Sequence, residues 1–207
     1  MSIFRKIKAA LTGSVPPPIP QSIPQPSQGL AALAQHLRTL DPKVFSAIAS
    51  RSERPSERDV ASFEKTIGFR LPDEFREFLM ASLGCFYLEA IESAWPRPKP
   101  DDIVPAWHLK YAIHVFGISS DAPDFMDIRK RFAGFPQSGS QRLVPFFAFS
   151  CSGDCHCFTP EGRIVVWRSD SGDTQPVDLT FSAFLLKEIR TLQERAQKIT
   201  NEPNPYA

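Results

Sequence analysis

The chain has 207 residues, with 24 Lys and Arg against 23 Asp and Glu. This length suits one domain with an extended arm, and 42% hydrophobic residues suffice for a packed core. The net charge of +1 gives no reason to expect nucleic acid or an anionic membrane as a partner. Seventeen Phe against three Tyr and three Trp favour core packing over side-chain chemistry.

Residues 1–28 differ in composition from the rest of the chain. Apolar residues recur at helical spacing from Ile3 to Leu11, and the opposite side carries three basic residues, Arg5, Lys6 and Lys8. This segment is either a short anchor for a partner or lipid surface, or a terminus without a stable helix. The prolines from Pro16 to Pro26 then predict an extended linker with polyproline II character.

The sequence also bears on where in the cell the protein lies. The early basic residues interrupt the apolar stretch that a signal peptide needs, and no run is long enough for a membrane span. Four cysteines in a chain of this length do not make a disulfide scaffold. We therefore expect a cytoplasmic protein.

The folded part is predicted to extend over residues 29–199 and to begin with helices. The first helix is marked by leucines at helical spacing, which are Leu30, Leu33, Leu37 and Leu40. Asp41 and Pro42 then resemble the N-cap and first residue of a second, short helix. The apolar face of this second helix would consist of Val44, Phe45 and Ile48.

Two further helices have clear start and stop signals. Ser56 is a candidate N-cap with Asp59 at the capping-box position, and Gly68 is placed to end that helix. The next helix starts after Leu71 and Pro72, with acidic residues in its first turn that favour the helix dipole. Its buried stripe would be Phe75, Phe78, Leu79 and Leu83, with Gly84 as its stop.

Residues 87–109 are rich in proline and predict a long loop with at most a short strand. Trp95 and Trp107 lie here beside the basic residues Arg97 and Lys99. Exposed Trp near cations is typical of an interaction hot spot, whereas a loop can also bury its own aromatic residues. The sequence leaves both interpretations open. The candidate partner-binding residues are Trp95, Arg97, Lys99 and Trp107.

The rest of the chain predicts strands followed by a long helix. Strands are expected at residues 111–118, 143–149, 155–158 and 163–168, and helices at 124–132 and 181–199. Pro145 would make its strand an edge or entering strand. Residues 200–207 are expected to be a flexible tail. Helices, then strands, then a helix indicate an α+β fold with helices packed against a mostly antiparallel sheet.

A cluster of cysteines and one histidine offers ligands that zinc would accept. Cys151, Cys155, His156 and Cys157 have the spacing C-x3-C-H-C. On a strand, however, Cys155 and Cys157 point to one face and His156 to the other, so the group does not converge on one ion. Core packing is the better interpretation. No catalytic motif is recognisable, so the residues alone do not require an enzyme and leave that alternative open. We expect no metal and no cofactor.

Residues 56–83 resemble the N-terminal signature of the SUKH superfamily. In that family, a helix ending in Glu-x-x-(Ile/Leu)-Gly is followed by Leu-Pro, an acidic-aromatic helix and a glycine turn. These positions are filled here by Glu64, Ile67-Gly68, Leu71-Pro72, Glu74-Phe75, Phe78-Leu79 and Gly84. Later pieces that resemble the family are Phe116-Gly117, residues 143–146, 152–154, 162–167 and 179–185. The resemblance covers residues 56–193, about two thirds of the chain.

This resemblance implies a single SUKH-like α+β domain that binds another protein and has no catalytic residues. Bacterial members are typically immunity proteins that neutralise a cognate polymorphic toxin, and yeast relatives regulate cell-wall synthesis and signalling. We therefore expect a non-enzymatic immunity protein whose partner is a cognate toxin domain. The alternative is a regulatory or scaffold module that docks to a larger assembly through its N-terminal arm.

Overall fold

A computed structural model describes residues 27–49, 54–81, 84–99, 101–119, 123–137 and 142–201. Its centre is a seven-stranded sheet in which every strand pairs antiparallel with its neighbours in the chain. The strands are β1 (Phe45–Ala49), β2 (Phe86–Ala90), β3 (Ala112–Val115), β4 (Val144–Phe149), β5 (Cys155–Phe158), β6 (Ile164–Trp167) and β7 (Thr174–Val177). The expected α+β fold is confirmed.

Five α-helices accompany the sheet within the described ranges. They are α1 (Gln28–Arg38), α2 (Glu57–Ile67), α3 (Asp73–Met80), α4 (Ile128–Ala133) and α5 (Phe181–Asn201). Short 3₁₀ helices lie at Ala106–Leu109 and Asp124–Met126. The N-terminal segment and linker expected before Ser27, and the tail after Asn201, lie outside the described residues, so the domain boundaries stay a prediction.

The start of α2 and its connection to α3 are fixed by local hydrogen bonds. Ser56 and Asp59 form a capping box, in which each side chain accepts a hydrogen bond from the other's backbone N–H. Gly68 ends α2 in the left-handed conformation at φ 83°. The Glu64 carboxylate then accepts a 2.7 Å hydrogen bond from the backbone N–H of Leu71. Helix α2 therefore begins and ends where the sequence predicts.

Glu64 also pairs with a buried cation. The guanidinium of Arg76, only 5% exposed, bonds to the carboxylates of Glu64 and Glu57. Glu64 is itself largely buried, whereas Glu57 is mostly exposed. The Glu-x-x-Ile-Gly pattern thus has a structural reason, because its Glu joins α2 to the start of α3 and to Arg76.

Residues 41–49 contradict the expectation of a second helix. The Asp41 carboxylate accepts a 2.8 Å hydrogen bond from the backbone N–H of Lys43, which closes a turn. The chain then continues as β1, and Phe45 pairs with Ala90 of β2. Three apolar residues within five positions do not distinguish helix from strand, and pairing with β2 decides the outcome.

The strand predictions differ from the structure at two prolines. Pro145 is the second residue of β4, an entering position, but β4 is internal in the sheet rather than at an edge. The register shifts between Pro145 and Phe147, which accommodates the missing N–H of the proline. One of the two edge strands is β7, which contains Pro176 and is mostly exposed. It was not expected because it lacks an alternating apolar pattern.

The expected helix at residues 124–132 is divided in two. A 3₁₀ helix and α4 meet at Asp127, whose carboxylate accepts a 2.8 Å hydrogen bond from the backbone N–H of Arg129 and caps α4. As a result Phe125 is 51% exposed while Ile128 is fully buried. Helix α3 also ends earlier than expected, at Met80, and Leu83 lies outside the described residues.

The inner face of the sheet packs against α3 and α5 through phenylalanine rings. Phe75 of α3 lies with its ring centroid 4.9 Å from that of Phe158 and 5.0 Å from that of Phe181. Phe146 stacks on Phe158 at 4.2 Å. All four side chains are at most 3% exposed. Phenylalanine therefore serves core packing here, as its abundance predicts, and the buried sheet provides a rigid platform.

Candidate partner-binding face

The outer face of β1–β3 carries a row of large side chains brought together by strand register. Ile48 pairs with Tyr87, and Tyr87 pairs with His114 on the next strand. The rings of Tyr87 and His114 meet edge to face with centroids 4.7 Å apart. Phe125 extends the row, since its centroid lies 5.7 Å from that of His114. We call these four residues, Ile48, Tyr87, His114 and Phe125, the aromatic strip.

The aromatic strip is accessible to a partner. Ile48 is 54% exposed and Phe125 is 51% exposed, while Tyr87 and His114 are half-buried. Among the described residues, the exposed large hydrophobic side chains are Ile48, Ile103, Phe125 and Leu179. Two of these four, Ile48 on β1 and Phe125 on the 3₁₀ helix before α4, thus lie at the two ends of one row. Aromatic side chains with an apolar body and a polar tip are typical of protein interfaces.

Both polar rings of the strip are held in their neutral form. Burial raises the pKa of Tyr87, and its hydroxyl donates a 2.8 Å hydrogen bond to the Glu89 carboxylate. Burial lowers the pKa of His114, and the positive charge of Arg131 acts in the same direction. The strip therefore presents uncharged rings at neutral pH, with a charged residue, Glu89, at its border.

Arg97, one of the candidate site residues, joins the 87–109 segment to this border. Its guanidinium lies 3.6 Å from the ring centroid of Tyr111 and 3.4 Å from a carboxylate oxygen of Glu89. It also donates 2.6 Å hydrogen bonds to the carbonyl oxygens of Trp95 and Ala90. These contacts within the protein fix the position of the Arg97 side chain. Its guanidinium thereby places a positive charge next to the strip.

The other three candidate site residues are not equivalent. Trp95 is fully buried, and its indole N–H donates a 3.0 Å hydrogen bond to the His108 carbonyl. Trp107 is half-buried; its centroid lies 6.1 Å from that of Trp95, and the Lys198 ammonium lies 5.3 Å from it. Lys99 is exposed. Trp95 therefore holds the loop by packing, and partner contact by these residues stays a prediction.

The cysteine and histidine cluster divides across β5. Cys155 and Cys157 are buried on one face, and burial raises the pKa of both thiols. His156 points to the other face, where its ring centroid lies 4.5 Å from that of Phe184. Within the described ranges, no group of three or more His, Cys, Asp or Glu residues is placed to hold a metal ion. These side chains contribute to packing on both faces of β5.

Comparison with known families identifies the chain. The model of the SMI1 / KNR4 family (SUKH-1) matches residues 54–187, well over half of the sequence. The chain belongs to this family. No curated protein and no solved structure gives a significant match.

The match confirms the SUKH resemblance seen in the sequence and relates it to the face described above. The SUKH-1 range includes Tyr87, His114 and Phe125 of the aromatic strip but begins after Ile48. It also includes the whole 87–109 segment. No helix in the described part of this SUKH-1 protein is long and apolar enough to cross a membrane.

Proposed function

We propose that this SUKH-1 protein is a non-enzymatic, cytoplasmic immunity protein that binds a cognate toxin domain directly and blocks it. Membership of the family supports a role in protein binding. The observation that carries the proposal further is the aromatic strip, a partly exposed row of apolar and aromatic side chains on strands β1–β3 and the 3₁₀ helix before α4. Our proposed toxin contact is this strip, with Arg97 at its border.

The structure of the strip suits tight binding for a physical reason. Tyr87 and His114 sit on neighbouring paired strands, so their backbone loses little conformational freedom when a partner binds. Tyr and Phe side chains bury a large area for only two side-chain torsions. The charged residues Glu89 and Arg97 at the border can favour the correct partner and disfavour others.

The test uses toxin domains encoded beside the gene, measured by titration calorimetry and by protection of cells that express the toxin. We expect wild-type protein to bind one of them and to protect. Phe125→Ala should raise the Kd by about thirtyfold, because an aromatic anchor of a protein interface contributes about 2 kcal/mol or more.

Leu179→Ala is the matched control. Leu179 is also an exposed large hydrophobic residue, but it follows β7, and β7 and β1 form opposite edges of the sheet. This control should bind as the wild type does. If no neighbouring toxin domain binds the wild type, the immunity function is wrong. If Phe125→Ala binds normally, the contact lies elsewhere on the protein.

A further inference from the structure

A groove opens on the side of the molecule near β7, away from the β1 edge. It has a volume of about 890 Å³ and is bounded by the starts of α3 and α5 and by β6 and β7. Its floor contains the buried side chains of Phe158, Ile164 and Phe181. Leu179, which is 38% exposed, and Pro176, also exposed, lie at its rim. The groove thus has an apolar floor and two exposed apolar residues at its rim.

The charges that line the groove are mainly negative. Three carboxylates, those of Asp73, Glu74 and Asp178, line it together with one guanidinium, that of Arg163. Asp73 is paired with Arg70 outside the lining at 2.7 Å, so Glu74 and Asp178 contribute most of the unbalanced charge. An occupant that is apolar and basic would complement this groove.

The described chain begins beside this groove. The backbone N–H of Ser27 donates a hydrogen bond to the Glu77 carboxylate. Gly29 lies against Ser182 and against Glu74, which lines the groove. Glu77 and Glu74 are one turn apart on α3, about 5 Å along the axis. Ser27, to which the preceding 26 residues are attached, therefore lies close to the groove wall.

We propose that residues 3–11 of this same chain dock in the groove. Residues 1–26 contain three basic side chains and no acidic one. The apolar side of residues 3–11 would cover the phenylalanine floor, and the basic side chains would meet Glu74 and Asp178. A covalent tether raises the effective concentration of a docking segment to about the millimolar range, so modest complementarity is enough.

The tether is long enough for this arrangement. Residues 12–26 include the proline-rich stretch. At about 3.1 Å per residue, the whole of residues 12–26 can reach at most about 45 Å. The chain must return only from Ser27 to the start of α3, which is a much shorter distance. The proposal is independent of the toxin partner, because the groove lies at the opposite edge of the sheet from the aromatic strip.

Hydrogen–deuterium exchange of the full-length protein tests the proposal. We expect the amides of residues 3–11 to exchange at least about tenfold more slowly than in a synthetic peptide of the same sequence. Leu179→Lys should remove this protection, since it places a cation at the apolar rim against a basic segment. Asp178→Lys, at an exposed position, should weaken the protection independently.

Ile48→Lys is the matched control, because it makes the same type of change at an exposed residue of the opposite edge strand. Protection should be unchanged in this variant, and circular dichroism should show all three variants folded. Protection should also be independent of protein concentration. Unprotected residues 3–11 in the wild type would overturn the proposal. Protection that survives both groove variants would also overturn it. Protection that rises with protein concentration would overturn it as well, and would indicate that residues 3–11 bind a second copy of the chain.

Discussion

His156 projects from β5 into a cluster of aromatic rings, with its centroid 4.5 Å from Phe184 and 5.1 Å from Phe147. Its buried Nδ1 has no hydrogen-bond partner in the part of the chain that the structure describes. Burial lowers the pKa of His156 to about 4, and the positive charge of Lys110 contributes in the same direction. A neutral ring fits this environment, whereas a protonated one would be a buried charge without a partner.

This arrangement predicts a stability that depends on pH. The unfolded His has a pKa near 6.5, so between pH 6.5 and 4 the unfolded state binds a proton that the folded state does not. The free energy of unfolding should therefore fall as the pH drops through this range. By pH 4, the titration of His156 should have lowered the free energy of unfolding by about 3 kcal/mol. Above pH 7 it should have no effect.

Urea unfolding of the wild type and of His156→Leu measures this contribution. Carboxylates titrate in both proteins, so the difference between the two curves isolates the histidine. We expect the wild type to lose about 3 kcal/mol relative to His156→Leu between pH 7 and pH 4. Parallel curves over this range would contradict the assigned burial of a neutral ring.

At the scale of single elements, the ion pairs of Arg76 distinguish a structural glutamate from a surface one. Glu64 and Glu57 bond to the same guanidinium, but the Glu64 side chain is 13% exposed and that of Glu57 is 65% exposed. Only Glu64 also accepts the backbone N–H of Leu71. The connection between α2 and α3 should therefore depend on Glu64 much more than on Glu57.

Two identical substitutions test this difference. Glu64→Gln should lower the free energy of unfolding by about 3 kcal/mol, because it leaves the buried Arg76 with only a solvent-exposed partner. Glu57→Gln should cost less than about 1 kcal/mol, as exposed ion pairs do. Urea unfolding at pH 7 measures both. Equal losses in the two variants would show that the buried Glu64 has no special role in joining the helices.

How well each element can be predicted depends on where its determinants lie. Helix α2 follows from signals within its own sequence, namely Ser56, Asp59 and Gly68. Strand β1 was mistaken for a helix because its structure depends on pairing with β2, about forty residues later in the chain. Strand β7 was missed because Thr174, Gln175 and Pro176 are all exposed at the sheet edge and give no apolar alternation.

The aromatic strip could not be predicted from local patterns for the same reason. Its residues come from β1, β2, β3 and the 3₁₀ helix before α4, and only the sheet register aligns them. Tyr87 begins a segment that was predicted as a long loop with at most a short strand, and Ile48 lies in the strand mistaken for a helix. By contrast, Trp95 and Trp107 could be singled out from the sequence. Whether each is buried or exposed could not, because that depends on the residues that the fold packs around them.

At the scale of the whole molecule, the antiparallel order separates two surfaces. The aromatic strip lies on β1–β3, and the groove lies beside β6 and β7, with β4 and β5 between them. The intervening strands β4 and β5 are mostly buried. Substitutions at sites without shared partners usually have additive effects. The two surfaces should therefore act independently.

The double variant Phe125→Ala with Leu179→Lys tests this independence. Leu179→Lys alone should leave the Kd for the toxin domain within about twofold of the wild type, and Phe125→Ala alone should leave residues 3–11 protected. The double variant should show both defects. Its loss of toxin-binding free energy should equal the sum of the losses in the two single variants within about 0.5 kcal/mol, and so should its loss of protection at residues 3–11. Calorimetry and hydrogen exchange on the same four proteins give both quantities. A release of residues 3–11 that changes toxin affinity would instead show that the sheet couples its two edges, and that the N-terminal segment regulates binding.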